Sequence, residues 1–170
     1  TVGSKSGIVG SDVYPAGHIL ACKNAVLAIT GSVYVYTSST TWVGTNAGLN
    51  ITHEMENLNN HLIFTLSSGE PYIATGSGYY YVGIGKTTDL TGDDANIIRY
   101  GSDHARGRHF TYRALAAELT GFTTVFKYSP GSTSSFTYQP IQRVNTAANS
   151  YMTNNSDACN LIFTLMEVKA

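Results

Sequence analysis

The stretch NLIFTLMEVKA (160–170) decides the fold class, because it carries apolar residues on both faces of a strand. A strand has a side-chain period of two, so alternate residues point to opposite sides. The two apolar sets are Leu161, Phe163 and Leu165 on one side and Ile162, Met166 and Val168 on the other. In a two-sheet protein, one face of a strand normally lies in the core and the other in water. The sequence therefore predicts a strand whose second face also needs cover.

The segment HLIFTLS (61–67) repeats this two-sided pattern. Two such strands in one sheet would give that sheet an apolar outer face, and large apolar surfaces mark interfaces. We therefore expect an oligomer whose subunits pack sheet against sheet around an axis. The residues expected at this interface are Leu62, Phe64, Phe163 and Met166. A small barrel or a covering helix is the alternative, and the helical candidate RALAAEL (113–119) is only about two turns long.

Most of the remaining chain has the pattern of short strands separated by turns. Enrichment in β-branched and aromatic residues indicates strands in SVYVYTS (32–38), YYYVGIG (79–85) and FTTVFKYS (122–129). HILACKNAVLAIT (18–30) is predicted to form two strands around a turn at Lys23 and Asn24. Pro140 is predicted to weaken the strand at 135–144 near its end. Many short strands without crossover helices predict an all-β antiparallel sandwich or barrel.

Length and charge limit the domain count and the partners. A chain of 170 residues favours one domain. Only 12% of residues are charged and the net charge is −1, so no nucleic-acid partner is expected. No apolar run approaches the roughly 18 residues that a membrane-spanning helix needs. Because the first dozen residues are small and polar, we predict an arm or anchor at 1–17 and one domain at 18–170.

The C-terminal sequence SDACNLIFTLMEVKA resembles the last strand of phage tail-fibre and related virion head domains. Three other segments are similar to strands of these domains and occur in the same order: NNHLIFTLS, YYYVGIGKTTDLTGDDANII and LTGFTTVFKYSPGSTSSF. Domains of this family are similar to the jelly rolls of C1q and tumour necrosis factor, which assemble as trimers. The resemblance implies an antiparallel jelly-roll sandwich that forms a homotrimer, with its first and last strands adjacent in the axis-facing sheet.

The resemblance also implies a function and a location. We expect a non-enzymatic structural protein of a virion surface, made in the host cytoplasm: a tail fibre or receptor-binding tip, or a capsid decoration or head-fibre protein. Residues 1–17 would attach it to other virion proteins, and the head would bind a host-surface glycan or protein. No cofactor is expected. The alternatives are a secreted C1q-like adhesion or signalling module and, less favoured, a glycan-cleaving domain.

The same resemblance implies where the two cysteines lie relative to each other. If the first and last strands are neighbours, Cys22 and Cys159 are expected to lie near each other. They would then form either a disulfide or a pair of free thiols in a cytosolically assembled particle. A secreted module would more often form the bridge and carry sugar at Asn50, which begins an Asn-Ile-Thr sequence.

A tryptophan and a tyrosine run are the first candidates for ligand binding. Trp42 lies in the polar segment TSSTTWVGTN (37–46), which favours partial exposure. Tyr79, Tyr80 and Tyr81 cannot all face the core of one strand, so at least one must contact solvent or a partner. Tyrosine and tryptophan combine a rigid apolar ring with a polar tip, as sugar- and protein-binding surfaces require. Tyrosines lining a subunit interface are an equal alternative.

The segment 92–110 gathers the densest set of polar groups. Its candidate ligand-binding residues are Asp103, His104, Arg106 and Arg108. The favoured alternative is a solvated loop in which the arginines pair with aspartates. The segment lacks the spacing of a calcium loop or a zinc-binding helix, so no metal site is predicted. No catalytic residue is predicted, since carboxylates such as Asp93 and Asp94 or Glu54 and Glu56 match a glycosidase pair only in number.

Overall fold

A computed structural model describes residues 16–29, 35–68, 72–73, 78–86, 97–98, 110–114, 121–145, 150–152 and 159–170. Within these ranges the chain is all-β and antiparallel, apart from one 3-10 helix at Ala47–Leu49. The strands are β1 (Ile19–Ile29), β2 (Tyr36–Thr37), β3 (Val43–Gly44), β4 (Ile51–His53), β5 (His61–Ser68), β6 (Tyr72–Ile73), β7 (Gly78–Gly85), β8 (Ile97–Ile98), β9 (Phe110–Ala114), β10 (Phe122–Tyr128), β11 (Phe136–Val144), β12 (Ser150–Tyr151) and β13 (Cys159–Val168). The prediction of an all-β antiparallel fold is confirmed.

The first sheet has the strand order β1-β13-β5-β10. The C-terminal strand therefore lies inside a sheet, between the first strand and β5, and the predicted adjacency of first and last strands is confirmed. The two faces of β13 differ in burial. Leu161, Phe163 and Leu165 are fully buried, whereas Ile162 is 38% exposed on the opposite face. One apolar face of β13 thus belongs to the core of the single chain.

The second sheet is built around β11 and β7, which pair along six residues. β3 and β4 pair with β11, and β8 and β9 pair with β7. Along the chain, the strands of the two sheets alternate in groups: β1 in the first, β3 and β4 in the second, β5 in the first, β7, β8 and β9 in the second, β10 in the first, β11 in the second and β13 in the first. This order is of the jelly-roll type. The short strands β2, β12 and β6 form a third, small sheet.

The core lies between the two main sheets and is rich in aromatic rings. The Phe64 ring stacks on Phe126 with 5.1 Å between centroids and on Phe163 at 5.8 Å. From the facing sheet, Tyr138 meets the same ring at 5.1 Å in a tilted arrangement. Such pairs contribute about 0.5–1.5 kcal/mol each beyond the area they bury. Phe64 therefore contacts aromatic rings of both sheets.

Three residues expected at a subunit interface lie in this core. Leu62, Phe64 and Phe163 are all 0% exposed, so the prediction that they face another subunit is wrong. The physical reason is that the inner face of the sheet already needs large apolar side chains to meet the second sheet. Met166 lies on the other face of β13 and is half-buried.

Two local predictions also require correction. The segment 18–30 was predicted to turn at Lys23 and Asn24, but β1 is one strand that pairs with β13 on both sides of that position. Pro140 was predicted to weaken its strand, but β11 is central in its sheet. The Pro140 carbonyl accepts a hydrogen bond from Thr45 at 3.1 Å, just beyond β3. In an antiparallel strand, the N–H and the carbonyl of one residue point to the same side. The N–H that Pro140 lacks would therefore point toward the gap between β3 and β4, so its absence removes no hydrogen bond to β7.

The helical candidate at 113–119 begins in a strand, because Arg113 and Ala114 end β9. Residues 115–119 lie outside the described part of the chain. No helix among the described residues has the length and apolarity that crossing a membrane requires.

The C-terminal end of β13 contains a buried carboxylate, Glu167, which is 0% exposed. It accepts hydrogen bonds from His53 Nε2 at 2.8 Å, the Asn60 side-chain amide at 2.6 Å and the Glu56 backbone N–H at 2.9 Å. A buried carboxylate needs such partners to offset the loss of water. Glu167 therefore ties the connection between β4 and β5 to the C-terminal strand.

The two cysteines are far apart along the strand pair. Cys22 is paired with Met166, and Cys159 is paired with Ile29. A separation of seven residues at about 3.3 Å each exceeds the ~7 Å limit between Cα atoms of a disulfide. The prediction that Cys22 and Cys159 are neighbours is wrong, although their strands are adjacent, because the strands are antiparallel and both cysteines lie nearer the start of their strand. Cys22 is an exposed free thiol.

Candidate functional site

The outer face of the second sheet carries an arginine between two aromatic rings. Arg143 of β11 is paired with Tyr81 of β7, and Gln142 is paired with Val43 of β3. Trp42 immediately precedes Val43, so it comes beside Arg143 on the side opposite Tyr81. Since Tyr80 points into the core, the strand alternation places Tyr81 on the outer face.

The contacts of Arg143 are with these rings. The guanidinium carbon lies 5.2 Å from the Trp42 ring centroid and 4.9 Å from that of Tyr81. Both distances are within the range for cation–π attraction, which amounts to about 0.5–2 kcal/mol per contact. The Arg143 Nε is buried without a hydrogen-bond partner. The side chain is thus held by its flat faces.

Tyr79, two residues before Tyr81 in β7, extends this aromatic surface along the strand. Its ring stacks on Tyr81, with 6.1 Å between centroids and 18° between planes. Asn145 holds the strand at this point, since its side-chain oxygen accepts from the Tyr79 N–H at 2.6 Å and its own N–H donates to the Tyr79 carbonyl at 3.1 Å. Tyr79 is 39% exposed, so its ring is available for contact.

An open hollow of about 470 Å³ lies over these residues. Its described lining consists of Thr40, Tyr79, Tyr81, Arg143, Val144 and Asn145. The volume is within the range of small-ligand sites. Among the described lining residues Arg143 carries the only formal charge, and there is no carboxylate. The hollow therefore combines ring surfaces, amide and hydroxyl groups, and one cation. This arrangement suits the binding of a polar, ring-shaped molecule.

Of the four aromatic residues predicted to bind ligand, three are brought together here: Trp42, Tyr79 and Tyr81. Tyr81 is only 5% exposed and lies beneath the hollow, where its ring stacks on Tyr79. The prediction for Tyr80 is wrong, because it is 0% exposed in the core. Its hydroxyl donates to Gln142 Oε1 at 2.6 Å, and the Gln142 amide donates to the Tyr36 carbonyl at 3.1 Å. Burial raises the pKa of Tyr80 well above its usual value of 10.0.

The other predicted ligand residues are Asp103, His104, Arg106 and Arg108, and they lie outside the described part of the chain. The same holds for Asp93 and Asp94. Glu54 and Glu56 are described, and both are exposed in the connection between β4 and β5. The described residues contain no cluster of three or more histidine, cysteine or acidic residues arranged to hold a metal ion.

Arg143 is the site residue that sequence reasoning missed. One signal was present: a lone charged residue in the strand segment QPIQRV (139–144), whose neighbours are mostly apolar or uncharged. Its role depends on the strand register that pairs Arg143 with Tyr81, about sixty residues earlier in the chain. Pattern within one segment cannot reveal that pairing.

No family model matches the chain, and no curated protein matches it. Among solved structures, it is similar to the carbohydrate-binding and catalytic modules of Clostridium thermocellum endo-1,4-beta-D-xylanase 10B complexed with xylohexaose, at 10% identity and a TM-score of 0.30. That match covers 87% of this chain and 29% of the xylanase chain. It is also similar to a xylan-binding domain of Paenibacillus barcinonensis xylanase, at 12% identity and a TM-score of 0.32, covering 92% and 99%. Likeness at this level does not support an assignment of ligand.

Proposed function

We propose that this chain is a non-enzymatic binding protein that recognises carbohydrate through Trp42, Tyr79, Tyr81 and Arg143. The observation that carries the proposal is the pair of stacked tyrosines beside a hollow lined by amide, hydroxyl and guanidinium groups. Sugar rings have apolar faces that pack on aromatic rings and hydroxyl edges that need hydrogen bonds. Both requirements are met on one face of the second sheet.

The experiment is a binding screen of the purified protein against immobilised glycans and insoluble polysaccharides. Tyr79→Ala is expected to weaken binding by at least about tenfold, which corresponds to ~1.4 kcal/mol. Tyr36→Ala is the matched control, because Tyr36 is also an exposed tyrosine but lies in the small third sheet. Equal binding by Tyr79→Ala and the original protein would contradict the proposed site.

The proposed setting is the surface of a virion, where the chain would serve as a tail-fibre head, receptor-binding tip or capsid decoration. The support is the ordered resemblance of four segments to virion head domains, together with a strand order of the jelly-roll type. Immunogold electron micrographs of particles from the source would test it. Gold on fibre tips or on the shell is expected, and particles without label that lack the protein by mass spectrometry would contradict it.

We further propose that the chain forms a homotrimer through the outer face of the first sheet. Three cross-strand rows make up this face: Val26–Ile162–Ser67–Thr123, Asn24–Thr164–Thr65–Val125 and Cys22–Met166–Ile63–Lys127. Val26 and Val125 are 55% and 61% exposed. Lys127 is the one charged residue in these rows, so two copies can approach without burying many charges. The partner is therefore another copy of the chain.

A further inference from the structure

We propose that the hollow beside Arg143 selects saccharides that carry a carboxylate, such as uronic acid residues. This inference rests on the proposed function, since it names the class of sugar that the same site would take. Three observations carry it: the way Arg143 is held, the absence of a carboxylate among the described residues that line the hollow, and the position of the Tyr79 ring.

The first observation is that Arg143 is held by stacking. Trp42 and Tyr81 contact the guanidinium at 5.2 and 4.9 Å, and its Nε has no hydrogen-bond partner. A structural arginine in a partly buried position usually donates several hydrogen bonds to the protein. A guanidinium fixed by its faces keeps its N–H edge for a planar acceptor, and a carboxylate matches that edge with two parallel bonds.

The second observation is the charge of the site. No described residue that lines the hollow is acidic. Partial burial reduces the screening of the Arg143 charge by water and salt. An anionic ligand would therefore be attracted here more strongly than a neutral one.

The third observation is the position of the ring next to the cation. Tyr79 is stacked on Tyr81, and Tyr81 contacts Arg143, so the ring surface continues away from the guanidinium on one face. A pyranose ring that packs on Tyr79 can direct a carboxylate on its C6 position toward Arg143. Thr40 lines the same hollow and places a hydroxyl group near the sugar hydroxyls. A free carboxylate alone would use only part of this surface.

The experiment compares two ligands that differ only in charge. Oligogalacturonate and its fully methyl-esterified form have the same backbone, and calorimetry would measure the affinity of the unaltered protein for each. The acid is expected to bind at least tenfold more tightly than the ester, and its affinity is expected to fall when NaCl is raised from about 50 to 500 mM, since salt screens the attraction. Equal affinities for acid and ester would overturn the inference.

Variants of Arg143 assign the effect to that residue. Arg143→Gln is expected to abolish the preference for the acid, while Arg143→Lys keeps the charge but loses the planar fork and is expected to keep only part of it. Lys23→Gln is the control, since Lys23 is an exposed cation in β1 of the other sheet. A preference that persists in Arg143→Gln would overturn the inference. If Arg143→Gln does not fold, the Arg143→Lys variant and the acid–ester comparison still decide it.

Failure of this inference can be told apart from failure of the proposed function. If neutral saccharides bind and depend on Tyr79 but not on Arg143, the carbohydrate site stands and the charge selection is wrong. If no saccharide binds, charged or neutral, both are wrong. If dextran sulfate binds through Arg143 and oligogalacturonate does not, the site binds anions but its specificity for carboxylate is overturned.

Discussion

The two main sheets are both antiparallel, yet their outer faces carry different side chains. On the first sheet the outward residues are small, aliphatic or hydroxylated, such as Val26, Ile162 and Val125. On the second sheet they include Trp42, Tyr81 and Arg143, with Tyr79 in the next row. Aliphatic side chains offer contact area without direction, whereas rings and a guanidinium impose both a plane and a hydrogen-bonding edge.

The difference is consistent with the two separate binding roles proposed above. A face of aliphatic and hydroxylated side chains with few charges suits another protein surface of the same kind. An aromatic face around one cation suits a small polar molecule in a defined orientation. The inner face of β13 lies in the core. The effect of a substitution there on stability is the reference for substitutions on the two outer faces. The predictions below run from the largest expected loss of stability to the smallest.

Phe163→Asp is expected to prevent folding of the single chain. Phe163 is 0% exposed and stacks on Phe64, so the change removes an aromatic pair and buries a charge without a partner. The expected loss exceeds about 4 kcal/mol, a size reserved for such core defects. Circular dichroism during heating would measure it. A cooperative transition at an unchanged temperature would contradict the assignment of this face to the core.

Glu167→Ala is expected to lower the free energy of unfolding by about 3–5 kcal/mol, because it leaves His53, the Asn60 amide and a buried backbone N–H without their shared acceptor. Urea denaturation would measure the change. Glu56→Ala is the matched control, since the Glu56 side chain is exposed and only its backbone N–H contacts Glu167. Equal stabilities of the two variants would show that this buried cluster adds nothing to the fold.

Tyr80→Phe is expected to cost about 1–3 kcal/mol, because Gln142 Oε1 loses its donor inside the core. It should also change the response to alkali. Burial raises the pKa of Tyr80 and of Tyr138, so above about pH 10 the unfolded chain releases protons that the folded chain retains. Stability is therefore full below pH 10 and falls as the pH rises beyond it. Melting temperatures between pH 8 and 12 should fall less steeply for Tyr80→Phe than for Tyr36→Phe, and identical slopes would contradict this account.

Ile162→Asp is expected to leave the folded monomer nearly as stable as before, within about 0.5–1 kcal/mol, because this side chain is 38% exposed on the outer face. It should instead prevent the proposed trimer, since three charges would meet on an apolar surface. Light scattering coupled to size exclusion would report the mass. Unchanged trimers would refute this face as the interface, and a monomeric original protein would refute the trimer itself.

The sequence pattern predicted the parts of the molecule that depend on alternation. The two-sided strands, the antiparallel all-β class and the need for at least one of Tyr79, Tyr80 and Tyr81 to point away from the core all follow from a period of two. Which apolar face of β13 meets the core does not follow, because both faces are apolar, and residues from both faces, Phe163 and Met166, were assigned to the interface. The partnership of Arg143 with Tyr81 depends on strand register, which alternation within one segment leaves open.

The cysteine prediction failed for a related reason. Adjacent strands were expected to bring Cys22 and Cys159 together, but adjacency fixes only the spacing between the two strands. The position along it is set by register, which pairs Cys22 with Met166. Strand neighbours can therefore be predicted from fold resemblance while the side-chain neighbours within them cannot.

The backbone contacts beside β1 and β13 have a practical consequence for protein engineering. Gly17 N–H donates to the Lys169 carbonyl at 2.8 Å, and Lys169 N–H donates to the His18 carbonyl at 2.9 Å. Gly17 and Lys169 therefore lie side by side at one corner of the first sheet. A unit with this geometry can be grafted into a surface loop of a carrier protein with short connectors, because the carrier need not separate its own chain ends to admit it. Such a graft would display the Arg143 face on any scaffold that tolerates an inserted domain.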